Sequence, residues 1–400
     1  MTNYNRKRAA KKAGKAVKRA AKKAPKLFFT LLIIVLVILF ILSAYWYFFI
    51  YRKDSTPPVR DPAAPSTPPS ESTPPGGTLQ TGELAIHFLE LGNKYTGDCI
   101  YIQIGDTDIL IDGGSKTNSA DAIETYVKNY CTDGILEYVI VTHAHEDHIA
   151  AFGGDGKNES LFRRFTCETI IDFPRTNSSS KIYNSYVQER DAEIEAGAVH
   201  YTALQCYNNE DGAKRSYELA EGVTMNFLYN YYYDHSSSNE NNYSVCMYIN
   251  QGEYNYLFTG DLEEKGEEYL VKHNELPKCK LFKAGHHGSN TSTTEKLLSV
   301  IQPEYVCVCC CAGSPEYTTN NDNTFPTQEM IDRVSKYTDK IFVTSLGVNI
   351  DLEGKKWDCA SMNGNILVKS DGVNFSLTGS NNSTLLKDTD WFKSNRVWKG

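Results

Sequence analysis

Apolar and polar positions divide the chain into two regimes. From residue 84 on, apolar runs of strand length alternate with amphipathic stretches of helix length. Leu84–Leu89, Cys99–Ile104 and Asp108–Asp112 read as strands, since β-branched and aromatic residues crowd short runs there. Ala120–Tyr130 reads as a helix and Leu136–Val141 as a buried strand. The alternation continues with a strand at Thr169–Phe173, a helix at Ile182–Ala196, and strands at Val223–Tyr229, Tyr243–Ile249 and Tyr254–Thr259. A helix at Glu263–His273, a strand at Cys279–Lys283, a helix at Thr293–Ile301 and a strand at Val306–Cys309 follow. This order fits an α/β (α+β) domain in which two mixed β-sheets pack together with helices outside.

The first 82 residues follow other rules. Leu27–Tyr51 is a run of 25 residues without a charge. At 1.5 Å per residue it spans a hydrocarbon core of roughly 30 Å with some tilt. Eleven Lys and Arg precede it and only Arg52 and Lys53 follow closely, so the positive-inside rule places the N-terminus in the cytoplasm and the rest outside. The run exceeds the roughly 7–15 residues of a signal-peptide core and no small-x-small site follows, which favours an uncleaved anchor. The segment 54–82 holds eight prolines with Ser, Thr and Gly and reads as an extended spacer. The expected organisation is a basic arm (1–26), a transmembrane helix (27–51), a linker (52–82), a catalytic domain (83–380) and a C-terminal tail (381–400).

Charge changes the picture. The net charge of −8 conceals 13 Lys and Arg and no acid in residues 1–53, which leaves 28 basic against 49 acidic residues beyond. An acidic domain carries no general footprint for nucleic acid, although a local basic groove is compatible with it. The cysteines number 11 and are scattered, apart from Cys307 and the run Cys309-Cys310-Cys311. Neighbours on a strand point to opposite faces and cannot cap one metal together, so this run reads as small apolar residues in a buried strand.

The chemistry concentrates at strand ends: Asp112-Gly113-Gly114, the cluster His143-x-His145-x-Asp147-His148, Gly260-Asp261, and Gly285-His286-His287-Gly288. Three imidazoles and a carboxylate within six residues after a buried strand form a ligand set that suits zinc or manganese. His143 and His145 can face one metal while Asp147 and His148 face another; alternatively Asp147 acts partly as an orienting base. Two metals roughly 3.5–4 Å apart need a bridging anion, and Asp261 is the candidate.

His143-x-His145-x-Asp147-His148, Phe258-Thr259-Gly260-Asp261 and Lys283-Ala284-Gly285-His286-His287-Gly288-Ser289 together resemble the metallo-β-lactamase-type domain of ComEC-type competence proteins. Leu110-Ile111-Asp112-Gly113-Gly114 and Asn241-Asn242-Tyr243-Ser244 match as well, over roughly residues 84–350. The resemblance implies an αββα sandwich. It implies that His143 and His145 bind a first metal and that Asp147, His148 and one of His286 and His287 (His287 preferred) bind a second, bridged by Asp261. Asp112, Lys283 and Asn242 would support these ligands. His286 and Ser289 would meet substrate, and Asp147, His286 and His287 would carry the chemistry.

The chain also departs from that pattern. Many members of the superfamily have a further His before the bridging Asp; only His200 and His235 are available, and Asn241 or Asn242 is the alternative occupant of that space. The family's D-V-G-Q-G-D segment becomes Glu90-Leu91-Gly92, an insertion, then Gly97-Asp98, and Phe325 stands where a late motif has His. The implied activity is an extracellular two-metal phosphodiesterase acting on nucleic acid or a phosphodiester wall polymer. The rival readings are a β-lactam or lactone hydrolase and a non-catalytic, competence-related binding protein.

Overall fold

The computed structural model describes residues 82–400. The basic arm, the apolar run Leu27–Tyr51 and residues 52–81 of the linker lie outside the described residues. Among the described residues, no helix is long and apolar enough to cross a membrane.

The chain lays down β1 (Leu84–Phe88), β2 (Ile100–Ile104), β3 (Thr107–Ile111), β4 (Ile135–Ile140), β5 (Thr166–Asp172) and β6 (Val199–Thr202). There follow β7 (Ser216–Ala220), β8 (Val223–Phe227), β9 (Met247–Gln251), β10 (Tyr254–Phe258), β11 (Leu281–Lys283), β12 (Tyr305–Ala312), β13 (Ile341–Asp351) and β14 (Lys356–Ser361). The strands β15 (Ile366–Ser370) and β16 (Phe375–Gly379) come last. They form two eight-stranded sheets, ordered β16-β15-β1-β2-β3-β4-β5-β6 and β14-β13-β12-β11-β10-β9-β8-β7. Each sheet is mixed: β3 to β6 run parallel in the first, β10 to β13 in the second, and the flanking strands pair antiparallel. Parallel strands point their C-terminal ends the same way, and ligand-binding groups gather at such ends.

The sheets pack face to face. Phe88, Tyr101 and Ile102 of the first share one buried cluster with Met225, Tyr256 and Phe258 of the second. Each such side chain, fully buried, contributes about 1.5–3 kcal/mol of transfer free energy. The strand β12 shows how its sequence serves two layers. Cys307 and Cys309 enter the inter-sheet core, whereas Val306, Val308 and Cys310 pack outward with Leu298, Met330, Ile331 and Val334 from the helices Glu295–Ile301 and Gln328–Val334. All 11 cysteines are free, and burial pushes the Cys310 thiol up to about 12, so it behaves as the expected small apolar residue.

Residues 381–400 are built into the domain. Leu386 and Phe392 are buried, and the Arg396 guanidinium donates to the carbonyls of Thr324 at 2.7 Å and Pro326 at 3.1 Å. The Trp391 ring lies so close to Gly313 that a Cβ there would stand 2.5 Å from its Nε1. The tail thus buttresses the segment 313–326, which leads off the end of β12.

Candidate metal centre

On the first sheet, Asp112 follows β3 with a φ of +60°, a conformation uncommon for a residue with a Cβ. Its carboxylate accepts the Thr142 backbone N–H and hydroxyl, both at 2.8 Å, and holds His148 Nδ1 at 2.8 Å. Asp112 therefore ties the end of β3 to the loop after β4 and fixes the His148 ring with Nε2 facing the opposite way. His148 sits in the first turn of the helix Glu146–Gly153. His143 Nε2 lies 3.0 Å from His145 Nδ1, and the His143 and His148 rings are 4.1 Å apart. Burial, followed by the charge of His148, holds His143 well below its ordinary value, so it stays neutral.

On the second sheet, β10 runs into Thr259-Gly260-Asp261. Gly260 has a φ of +53°, and a Cβ there would stand 2.9 Å from both Ser244 Oγ and Thr142 Cβ. Only glycine fits this crossing of the two sheets' loops. Asp261 N–H donates to Ser244 Oγ at 3.1 Å. After β11, His286 and His287 both adopt left-handed backbone, with φ of +48° and +52°. Such strain costs on the order of 1–3 kcal/mol per residue and persists only where surroundings enforce it. They do so here: Gly285 N–H donates to Thr293 Oγ1 at 3.0 Å, and His286 N–H to the Gly260 carbonyl at 3.2 Å. His287 Nδ1 lies 3.0 Å from the Cys309 carbonyl, which turns Nε2 inward.

These loops converge. Asp98, His148, Asp261 and His287 each offer a ligand atom, and all four atoms lie within 4.8 Å of one another. Asp261 Oδ2 is 3.1 Å from His148 Nε2 and 3.2 Å from His287 Nε2. His148 Nε2, His287 Nε2 and Asp261 Oδ1 are buried without a hydrogen-bond partner. Orphaned buried polar atoms are rare, and two imidazole nitrogens that face one carboxylate oxygen, Asp261 Oδ2, fit a divalent cation. Burial works against charge on Asp261, yet the imidazoles of His148, His287 and His286 outweigh it and hold the carboxylate well below its usual range. Lys283, buried and ion-paired with Asp98, stays charged because the carboxylates of Asp98 and Asp261 outweigh its desolvation. It neutralises part of the anionic cluster without occupying its centre.

Asp98 had no role assigned from sequence. An insertion separates it from Glu90-Leu91-Gly92, and no periodicity marks it. The signal available was the Gly97-Asp98 pair: a Cβ at Gly97 would stand 2.7 Å from the Asp147 carbonyl, and Asp98 N–H donates to that same carbonyl at 3.0 Å.

The remaining candidates separate clearly. Asp147 lies at the mouth, 3.5 Å from His287 Nε2. His286 is 21 % exposed, with Nδ1 3.0 Å from Thr291 Oγ1 and 3.5 Å from Glu263, and Nε2 3.9 Å from Asp261. Ser289 is buried, with Oγ 3.0 Å from Thr291 Oγ1, so it closes its own turn. Asn242 donates to Ser237 Oγ at 3.1 Å and Asn241 to Glu263 at 3.0 Å, so both amide nitrogens serve the loop wall. His200 pairs with Asp172 at 2.9 Å, alongside Arg190, and His235 stacks on Tyr231 at 3.7 Å; neither is among the four convergent residues. Phe325 packs near both His286 and His287, with ring centroids 5.9 and 6.3 Å away. Tyr317, which sequence reasoning passed over, donates its hydroxyl to Asp147 Oδ2 at 2.7 Å.

The sequence family model described as the metallo-beta-lactamase superfamily matches residues 92–154 and 239–312, two segments that contain all four convergent residues. The metallo-β-lactamase-type domain expected from the motifs is thus supported over these two segments. Within it, the similarity is to ComEC-type competence proteins. The chain is 24 % identical over 213 residues to ComE operon protein 3 of Bacillus subtilis, covering 52 % of this chain and 23 % of that protein. It is 29 % identical over 240 residues to Recombination protein 2 of Haemophilus influenzae, covering 60 % and 25 %. It is 32 % identical over 127 residues to Competence protein ComA of Neisseria gonorrhoeae, covering 32 % and 17 %. The chain therefore spans about a quarter or less of the length of these relatives.

Proposed function

We propose that this chain is a metal-dependent phosphodiesterase, anchored in the membrane by Leu27–Tyr51 and working outside it on nucleic acid or a phosphodiester wall polymer. The observation that carries the reading is the pair of orphaned, buried nitrogens His148 Nε2 and His287 Nε2, both facing Asp261 Oδ2, beside charged Lys283. In this reading His143 and His145 hold one cation, His148 and His287 a second, with Asp261 between them and Asp98 and Asp147 beside His287. A bound divalent pair would supply hydroxide near neutral pH and a Lewis acid for the phosphoryl oxygens. His286, partly exposed and hydrogen-bonded through Nδ1, is the proton donor to the leaving oxygen. The names of two relatives, a recombination protein and a competence protein, support nucleic acid; the acidic composition favours a short or wall-linked phosphodiester over long duplex.

The test is turnover of bis-p-nitrophenyl phosphate by the full chain supplied with zinc or manganese. Activity lost in Asp261→Ala is the expected result. A metal-loaded chain that hydrolyses nitrocefin but leaves the phosphodiester intact overturns it, and a chain that binds no metal favours the non-catalytic reading.

A further inference from the structure

Tyr317 stands apart from every other group around the centre. The convergent residues Asp98, His148, Asp261 and His287 are sealed, whereas Tyr317 is 49 % exposed and still reaches Asp147 Oδ2 with its hydroxyl at 2.7 Å. Its ring lies against Phe325 with centroids 5.3 Å apart, and Phe325 in turn packs beside His286 and His287. The backbone that presents it is held from both sides. The neighbouring Glu316 carboxylate accepts the Thr96 N–H at 2.8 Å, and Gly313 N–H donates to the Phe325 carbonyl at 2.8 Å. Trp391 and Arg396 brace the same segment from the tail. A ring so placed has few orientations open to it, so its hydroxyl is aimed at the mouth before any ligand arrives.

We propose that Tyr317 contacts the substrate, its phenolic O–H turning from Asp147 to donate to a non-bridging phosphoryl oxygen, with Phe325 as the floor that fixes its ring. The proposal rests on the phosphodiesterase reading for the identity of the ligand. Three features separate it from a purely structural role. Tyr317 is open to solvent, its hydroxyl bonds to Asp147, which is 17 % exposed where Asp98 and Asp261 are sealed, and Asp147 has a second neighbour in His287 at 3.5 Å. A hydrogen bond to a charged acceptor is strong enough to be read as about a tenfold change in affinity.

The experiment compares Tyr317→Phe with the unaltered full chain, both loaded with zinc. Metal content is measured by elemental analysis, inorganic phosphate binding by calorimetry, and turnover on bis-p-nitrophenyl phosphate. The expected result is equal metal content, a phosphate Kd and a KM raised about tenfold, and a kcat changed less than about threefold. Reduced metal content with unchanged phosphate affinity per loaded molecule would mean that Tyr317 only holds Asp147, and would overturn the proposal. Unchanged Kd, KM and kcat would also overturn it while leaving the phosphodiesterase reading in place. If the unaltered chain binds phosphate through Tyr317 but turns over no phosphodiester, the enzymatic reading falls and the contact stands.

Discussion

The buried centre and the lip formed by residues 313–326 solve opposite problems. At the centre, Asp98, His148, Asp261 and His287 are at most 1 % exposed; Asp261 and His287 follow the ends of β10 and β11, and His148 stands in the first turn of a helix. Their orientation is over-determined: Asp112 grips His148, the Cys309 carbonyl grips His287, and Ser244 grips the Asp261 backbone. The lip is irregular apart from one short turn at Asn321–Asn323. It presents Tyr317 and Phe325 on a few tethers to Thr96, Asp147 and the C-terminal tail. The contrast teaches a division of labour. Strand ends supply the sub-ångström precision that metal ligation needs, while a braced loop supplies the groups that choose a substrate.

The largest effect should come from breaking the centre. Asp261→Ala removes the carboxylate between His148 and His287 and should lower turnover by about a thousandfold or more, with metal content falling in parallel. Full activity in that variant would mean that the convergence is structural only. Next comes Lys283→Met, which leaves Asp98 buried with only imidazoles to balance it; the expected loss is about 3–5 kcal/mol of folding free energy, read by denaturant melts. A third variant, Asp112→Asn, keeps the shape but weakens the grip on His148. Zinc affinity should drop about ten- to a hundredfold in competition with a chelator, at nearly unchanged melting temperature.

The pH dependence follows with a definite sign. Burial works against protonation of His148 and His287. The carboxylates of Asp261 and Asp112, and of Asp261 and Asp98, respectively, outweigh it and raise both imidazoles above 6.5. In a metal-free chain their contribution to stability is therefore complete below about pH 6.5 and is lost as pH rises through the raised values. Metal binding must displace those protons, so zinc affinity should climb over the same interval. Thermal melts with and without chelator decide the point: a metal-free melting temperature that rises from about pH 6.5 upward would contradict the sign. The smallest effect belongs to His200→Ala. Asp172 keeps Arg190 and the Tyr186 hydroxyl, both at 2.8 Å, so stability should fall by about 1 kcal/mol and metal content should not change.

Much of this was legible before any coordinates. The strands β1 to β5 and β8 to β12, the longer helices, the packing of two sheets and the clustering of chemistry at strand ends all follow from periodicity and punctuation by glycine. The paired motifs Thr259-Gly260-Asp261 and Gly285-His286-His287-Gly288 were visible because steric crowding leaves glycine few substitutes there. Other features were not legible. The strands β6, β7 and β13 to β16 escaped notice, and β15 joins the first sheet beside β1 although nearly the whole domain lies between them in sequence. Asp98 and Tyr317 carry no local pattern, since one follows an insertion and the other sits in an aperiodic loop.

By itself the sequence marked Asp112, the cluster His143–His148, Asp261 and His286-His287 as candidate metal-site residues at strand ends, because ligand chemistry and backbone sterics act over a few residues. Only the tertiary structure decided which of them meet. It brought Asp98 to His287, left His200 with Asp172, and carried the hydroxyl of Tyr317 to Asp147. Those encounters depend on how two sheets close over one core, a long-range balance of burial and pairing that no stretch of local pattern records.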